Sequence, residues 1–305
     1  MLRKNYRMTI AYLAFQDFVD ELIAEVNTVT SVYGRLVLTE RSTQRHPVWA
    51  QNIWWNPIYL PAVSISVAAK QLRALQLRWA NYAFHCYRRT ELIQQQLPAL
   101  KSPPLEFLGP LPDKSMGSWT LVAEDLILAS TQCSSPFPNG EVHFHENKID
   151  PPSRAYLKLW ELLTVYGVKL QPGDICLDLG SSPGGWTWVL EQMQCQVTSV
   201  DKAPLDSRLL QSSRVTYLNR SAFSITPAEI GPIHWFFSDV ICYPRRLLRL
   251  VKDWLYSGLC ENFVCTLKLQ GQTDTAAVKE FAEIPGSRII HLYHNKHELT
   301  WVRQS

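Results

Sequence analysis

Hydrophobic positions in the first half of the chain predict mixed elements. Residues 8–15 (MTIAYLAF) read as a strand, and 16–27 set Phe18, Leu22, Ile23 and Val26 at helical spacing. Residues 29–38 read as extended again, giving a β-α-β start. An aromatic, proline-punctuated loop spans 46–61. A long helical pattern runs from Val67 to Leu97, with Leu72, Leu75, Leu77, Trp79, Phe84 and Leu92 on it. Five prolines between 98 and 118 mark a connector. Strands at 119–129 and 141–145 close this part, and no internal repeat is present.

From Pro151 short strands and helices alternate. Helices are predicted at 152–166, 186–194, 245–257 and 275–283. Strands are predicted at 174–179, 196–200, 214–218, 234–238, 262–268, 288–294 and 298–303. Alternation of this kind predicts an α/β fold with a mostly parallel, doubly wound sheet. The last two strands, only three residues apart, predict an antiparallel hairpin. We therefore expect a smaller α+β domain over 1–135 and an α/β domain over 136–305.

Composition adds limits. The chain has 305 residues, 46% hydrophobic and 19% charged, with a net charge of +3. Disordered and fibrous classes are excluded, and net charge alone identifies no nucleic-acid partner. Seven cysteines without C-x-x-C or zinc-finger spacing point to a reducing compartment. The first 15 residues lack a small-residue cleavage site. Residues 46–69 carry no charge but hold three prolines and two asparagines, which a lipid-spanning helix tolerates poorly. A cytoplasmic protein without a membrane segment is expected.

Two patterns carry chemistry. The first is Asp178-Leu-Gly180-Ser181-Ser182-Pro183-Gly184-Gly185-Trp186, between an apolar strand and a helix. Glycines allow a sharp turn and close ligand approach, and the helix N-terminus offers free N–H groups. The run is neither G-x-G-x-x-G nor a P-loop. Asp201 ends the next strand, where a carboxylate can accept both hydroxyls of a ribose.

The second pattern is four charged residues. Lys158 lies on helix 152–166, Asp239 and Lys268 follow strands, and Glu298 opens the last strand. Strand carboxyl ends line the crevice of a doubly wound sheet, which places Asp239 and Lys268 there. A helical Lys is ordinarily solvated, and an Asp after a strand is often an N-cap. Lys268 interrupts an apolar strand, where a charge needs a partner.

SRAYLKL, DLGSSPGGWTWVL, the strands ending in Asp239 and Lys268, and Glu298 in the final hairpin resemble the FtsJ-type ribose 2′-O-methyltransferases, over roughly 136–305. Within that family, PSRAYLKLWE, WLYSGLCENFVCTLKL and LYHNKHELTWVRQ resemble the RlmM branch, which methylates a cytidine ribose of 23S ribosomal RNA. The resemblance implies a class I methyltransferase (Rossmann-like) domain using S-adenosyl-L-methionine, with RNA as partner and no metal. It implies a catalytic tetrad of Lys158, Asp239, Lys268 and Glu298. Lys268 would be the base that takes the 2′-hydroxyl proton, which requires a lowered pKa. Cofactor contacts would come from Asp178, Gly180, Ser181, Ser182, Pro183, Gly184, Gly185, Trp186, Asp201, Ser221 and Asp239. Where the family places an Asp for the adenine amino group, this chain has Ser221.

Charge distribution points to RNA contacts. Residues 35–101 hold nine Lys or Arg, at 35, 41, 45, 70, 73, 78, 88, 89 and 101, against Glu40 and Glu91. Arg73, Arg78, Arg88 and Arg89 are the candidates for phosphates. Interleaved Trp49, Trp54, Trp55, Tyr59, Trp79, Tyr82, Phe84 and Tyr87 fit a hydrophobic core better than a base-stacking face. Arg154, Arg245 and Arg246 flank the crevice as further phosphate candidates. The histidines at 143, 145, 291, 294 and 297 complete no ligand set. The expected function is RNA ribose 2′-O-methylation, on 23S ribosomal RNA. Rivals are the same reaction on tRNA or a cap, and a silent RNA-binding scaffold.

Overall fold

The computed structural model describes residues 9–40, 46–113, 116–269 and 273–305. The chain forms two compact units. One holds Met1–Leu105 and Pro110–His143, the other Glu106–Gly109 and Phe144–Ser305.

The first unit comprises β1 (Ile10–Ala14), α1 (Val19–Val26), β2 (Val29–Tyr33), β3 (Leu36–Thr39), β4 (Ala50–Trp55) and β5 (Ile58–Pro61). It continues with α2 (Ile65–Leu75), β6 (Trp79–Asn81), α3 (Tyr87–Gln95), β7 (Gly117–Ala123), β8 (Leu126–Ser130) and β9 (Gln132–Cys133). Among the described residues these strands form two sheets, ordered β2-β3-β1-β4-β9 and β5-β8-β7-β6.

Four expectations need correction here. Residues 29–38 are a hairpin, turned at Gly34, whose φ of +59° suits glycine. The stretch 46–61 holds β4 and β5, with Trp54 fully buried. Its prolines sit at strand boundaries and on a strand end, where a missing N–H is tolerated. The long helix is two, because the Trp79 indole N–H donates to the Leu72 and Gln76 carbonyls, both at 3.0 Å, and β6 pairs with β7. Ala68, Ala69, Leu72, Trp79, Ile93 and Trp119 then share one core, a tertiary gain that overrides local propensity. Residues 141–145 form only an isolated bridge at Phe144.

The second unit comprises α4 (Tyr156–Thr164), β10 (Ile175–Leu179), α5 (Gly185–Gln192), β11 (Gln196–Asp201), α6 (Ser207–Leu210), β12 (Val215–Asn219) and α7 (Pro227–Ile230). It ends with β13 (Trp235–Ser238), α8 (Pro244–Ser257), β14 (Asn262–Lys268), α9 (Thr275–Ala282), β15 (Ser287–Ile290) and β16 (Glu298–Arg303). Among the described residues they form one sheet, ordered β12-β11-β10-β13-β14-β16-β15. The strands from β12 to β14 are parallel, and β16 runs antiparallel to β14 and β15. This is the class I methyltransferase arrangement. Its order reverses between β10 and β13, so a crevice opens beyond their carboxyl ends. The closing hairpin has a loop over 291–297, longer than the three residues expected.

Leu177, Phe236, Phe237, Phe263 and Val264 are fully buried in the sheet centre. No helix among the described residues is long and apolar enough to cross a membrane. No group of three or more His, Cys, Asp or Glu suited to a metal occurs among them.

Candidate active site

The turn after β10 is built by close packing. Gly180 has φ +77°, and a Cβ there would lie 2.6 Å from the Val240 Cα, so only glycine lets the turn pass the chain leaving β13. Gly185 meets Ser153 as closely, which brings α5 against the approach to α4. The Trp186 indole donates to the Ala155 carbonyl at 3.0 Å. Gly184, Gly185 and Trp186 are therefore buried against protein, whereas Ser182 is half-buried and Pro183 exposed.

Asp201 ends β11 with each carboxylate oxygen anchored. Ser182 N–H donates to Oδ2 at 3.1 Å and Ala203 N–H to Oδ1 at 2.9 Å. One lone pair on each oxygen remains for another donor. Asp178 is fully buried. Its Oδ2 accepts from Thr187 at 2.7 Å, and Thr187 also meets Ser199 at 2.7 Å. Burial pushes its carboxyl up to about 7, helped by the charges of Asp239 and Asp201 and opposed by Thr187. Asp178 Oδ1, Ser181 Oγ and Ser238 Oγ are buried without hydrogen-bond partners among the described residues. All three sit at or near the carboxyl ends of β10 and β13. Ser221 caps a short turn by accepting from the Phe223 N–H at 3.3 Å.

The four charged residues come together in one closed set. Lys158 Nζ lies 3.1 Å from Asp239 Oδ2 and 2.5 Å from Glu298 Oε1. Lys268 Nζ lies 2.6 Å from Asp239 Oδ1 and also pairs with Glu298 Oε2. Topology explains the meeting. β13 and β14 are parallel neighbours, and Lys268 and Glu298 sit opposite each other across β14 and β16. The set is mostly buried, and its two cations and two anions balance.

Protonation follows from that pairing. Burial pushes the Asp239 carboxyl up, but the Lys158 and Lys268 charges, with hydrogen bonds from Lys268 and Thr266, hold it below its ordinary value. Thr266 Oγ1 donates to Asp239 Oδ1 at 2.6 Å. Burial pushes Lys268 down, yet Asp239 and Glu298 outweigh it and hold the amine above its ordinary value. This corrects the expectation of a lowered Lys268. Two carboxylates stabilise its charge, while only one other ammonium opposes it.

Glu161 escaped the sequence reading. It lies one turn beyond Lys158 on α4 and is only 1% exposed. Its carboxylate accepts from the Tyr293 N–H at 2.9 Å and the His294 N–H at 3.1 Å, and meets His294 Nδ1 at 2.7 Å. The helix carrying Lys158 is thus clasped to the loop that delivers Glu298. A charge inside the apolar run LKLWELL was the available signal. Thr266 gave none. Ile241 and Tyr243, just after Asp239, are 81% and 67% exposed, which makes apolar surface beside the quartet.

The predicted RNA contacts are scattered. Arg154 is exposed and pairs with Glu146 at 2.8 Å. Arg245 pairs with Glu280, and the Arg246 guanidinium lies 3.7 Å over the Phe223 ring. Arg73 donates to the Gln96 carbonyl at 2.9 Å and Arg89 to that of Ala62 at 2.6 Å. Arg88 is exposed and Arg78 half-buried; Arg41 and Arg45 lie outside the described residues. Trp49, Trp54, Trp79 and Tyr82 are core, Trp55 and Phe84 are half-buried, and Tyr59 and Tyr87 are exposed.

The FtsJ-like methyltransferase family model matches residues 151–291. A ribosomal RNA large subunit methyltransferase M of Xanthomonas euvesicatoria pv. vesicatoria is 31% identical over 251 residues, covering 77% of this chain and 68% of that one. Its counterpart in Xanthomonas oryzae pv. oryzae is 34% identical over 191 residues, 57% of this chain and 54% of the relative. The chain thus spans about half the length of several curated relatives it matches. Among solved structures, Aeropyrum pernix fibrillarin in complex with S-adenosyl-L-methionine aligns with 64% of this chain and 86% of its own, at 14% identity and a TM-score of 0.38. The aligned length shared with the Xanthomonas euvesicatoria protein runs well beyond the 151–291 match, and on it the chain belongs to the FtsJ-like methyltransferase family, among the relatives of ribosomal RNA large subunit methyltransferase M.

Proposed function

We propose that this chain methylates a ribose 2′-oxygen of large-subunit ribosomal RNA, with S-adenosylmethionine as methyl donor. The observation that carries the reading is the closed Lys158–Asp239–Lys268–Glu298 set at the point where the strand order reverses. The curated relatives' name supplies the RNA class.

The residues present fit the cofactor. Asp201 keeps a lone pair on each anchored oxygen for the two ribose hydroxyls. Ser181 and Ser238 offer buried hydroxyls without partners among the described residues, suited to the polar amino-acid end. Asp239 supplies negative charge for a sulfonium. Gly180, Ser182, Pro183, Gly184 and Gly185 would shape the wall through their backbone, and Ser221 would face the adenine. Asp178 and Trp186 would act through packing. When bound, S-adenosylmethionine supplies an electrophilic methyl group.

An alcohol is a weak nucleophile at neutral pH, so a residue must take its proton. Lys268 is that residue, in its neutral form. Its paired carboxylates favour the ammonium, so the neutral amine is a minority species near pH 7. The Lys158 ammonium opposes that preference by sharing the same carboxylates. Asp239 holds both amines, and Glu298 orients them from β16. Fixing the 2′-oxygen in line supplies most of the rate. Arg154, Arg245, Arg246, Arg73, Arg78, Arg88 and Arg89 would meet phosphates.

The test is transfer of labelled methyl to total RNA from a strain lacking the gene. Lys268→Ala should lose transfer by about 100-fold or more while binding S-adenosylmethionine as the wild type does. An active Lys268→Ala enzyme removes the base assignment. No transfer by a wild type that binds the cofactor would favour a silent scaffold.

A further inference from the structure

Both amines of the quartet depend on where the Asp239 oxygens point, yet Asp239 stands in the chain just after β13 rather than in a strand. What fixes its carboxylate comes from the neighbouring strand. Thr266 and Lys268 lie two residues apart on β14, so both side chains leave the same face. β14 is paired on both sides, with β13 and β16, and Thr266 sits opposite Thr300. Thr266 is fully buried. Its Oγ1 lies 2.6 Å from Asp239 Oδ1 and 3.5 Å from the Ser238 carbonyl. A hydroxyl has one hydrogen to give, and the short contact to a charged acceptor takes it. Oδ1 also accepts from Lys268 at 2.6 Å, so short bonds fill its two lone pairs. Lys158 reaches both oxygens, at 3.2 Å from Oδ1 and 3.1 Å from Oδ2.

We infer that Thr266 is a positioning residue for methyl transfer: its hydroxyl fixes Asp239 Oδ1 beside Lys268 and takes a lone pair that the ammonium would otherwise hold. The inference rests on the proposed reaction. Without the hydroxyl, the carboxylate can turn about its last torsion and give Lys268 both lone pairs of Oδ1. A carboxylate that has lost a donor is more basic and holds the ammonium more tightly. The neutral amine that takes the 2′-hydroxyl proton then becomes scarcer. The Thr266 hydrogen bond indeed lowers the Asp239 carboxyl, and Asp239 in turn raises the Lys268 amine. The other titratable groups facing this pair are Lys158 on α4, Glu298 on β16, Asp178 on β10 and Cys242 after β13. A substitution at Thr266 leaves each of them in place and reaches Lys268 through Asp239.

The experiment uses the full chain with ribosomal RNA. It measures kcat and KM from neutral to alkaline pH, the affinity for S-adenosylmethionine, and the titration of the Lys268 amine by NMR of its nitrogen. Thr266→Val removes the hydroxyl and keeps the branched shape. It should lower kcat about tenfold at each pH, with the KM for RNA and cofactor binding unchanged. Its Lys268 amine should titrate about one pH unit above the wild-type value, which is the same tenfold. Thr266→Ser restores a hydroxyl and should match the wild type in both readouts. Thr266→Ala also lacks the hydroxyl, and carries the test if Thr266→Val does not fold. A folded variant without the hydroxyl that keeps the wild-type kcat and Lys268 titration overturns the inference. So does a Thr266→Ser enzyme as impaired as Thr266→Val. A wild type that binds S-adenosylmethionine and methylates no RNA overturns the reaction beneath it, and the Lys268 titration then decides what Thr266 does in the quartet.

Discussion

The two units use charge in opposite ways. In the second, Lys158, Asp239, Lys268 and Glu298 are withdrawn from water and satisfy one another through four ion pairs. In the first, Arg73 and Arg88 are exposed, and Arg73 donates to a backbone carbonyl. Water screens an exposed charge, so its effect on any single contact is small and additive. A withdrawn charge interacts strongly, and removing one member leaves its partners unpaired. The first arrangement suits holding a polyanion, and the second suits chemistry at one atom.

Breaking the quartet should have the largest effect. Asp239→Ala leaves two ammonium groups sharing Glu298. It should reduce kcat by about 10³-fold and unfold about 3–5 kcal/mol more easily in urea. A loss of activity with unchanged stability would mean that the pairing contributes nothing to the fold.

Asp178 gives the next effect. Its carboxyl stands near 7 when folded, against about 4 when unfolded. The folded state holds the proton more tightly, so the stability linked to it is complete below pH 4 and is lost as pH rises through 7. Asp178→Asn cannot ionise. It should match the wild type in acid and exceed it at pH 8 by at most about 4 kcal/mol, measured by thermal unfolding without cofactor. A difference that stays constant with pH would contradict the buried carboxyl.

The raised Lys268 predicts a pH profile. Only the neutral amine accepts the proton, so kcat should climb about tenfold per pH unit from neutrality, without levelling below the ordinary lysine value of about 10.4. A plateau near pH 7 would point to another base. Weakening the clasp with Glu161→Gln should lower kcat about tenfold and leave the KM for RNA unchanged, because the loop bearing Glu298 loosens while RNA contacts stay. The smallest effect belongs to the exposed arginines. Arg73→Ala with Arg88→Ala should raise the KM for RNA about threefold, leave kcat alone and flatten its salt dependence by about one to two ions. An unchanged salt slope would remove both from the RNA path.

The same contrast governs what the sequence discloses. In the second unit the alternation of strands and helices predicts a mostly parallel sheet, with Asp201 and Lys268 ending β11 and β14 and Asp239 following β13. That pattern alone set Asp239 and Lys268 at the crevice, whereas Glu298, which opens β16, was marked only by the family resemblance. In the first unit, tertiary pairing decides the elements. A helical run from 67 to 97 gives way at Trp79 because β6 finds β7, and the 46–61 stretch becomes two strands because Trp54 finds a core. Glu161 was visible only as a charge out of place, and its partners lie more than a hundred residues away in sequence. The raised Lys268 pKa was hidden because it depends on how many carboxylates converge, which spacing does not encode.

The central claim is that this buried quartet serves methyl transfer to a ribose. The most direct test digests RNA labelled by the wild type and by Lys268→Ala, and locates the methyl group by mass spectrometry of the nucleosides. The account predicts label on a ribose 2′-oxygen of large-subunit RNA and its loss in the variant. Label on a base, or label that persists in Lys268→Ala, would contradict it.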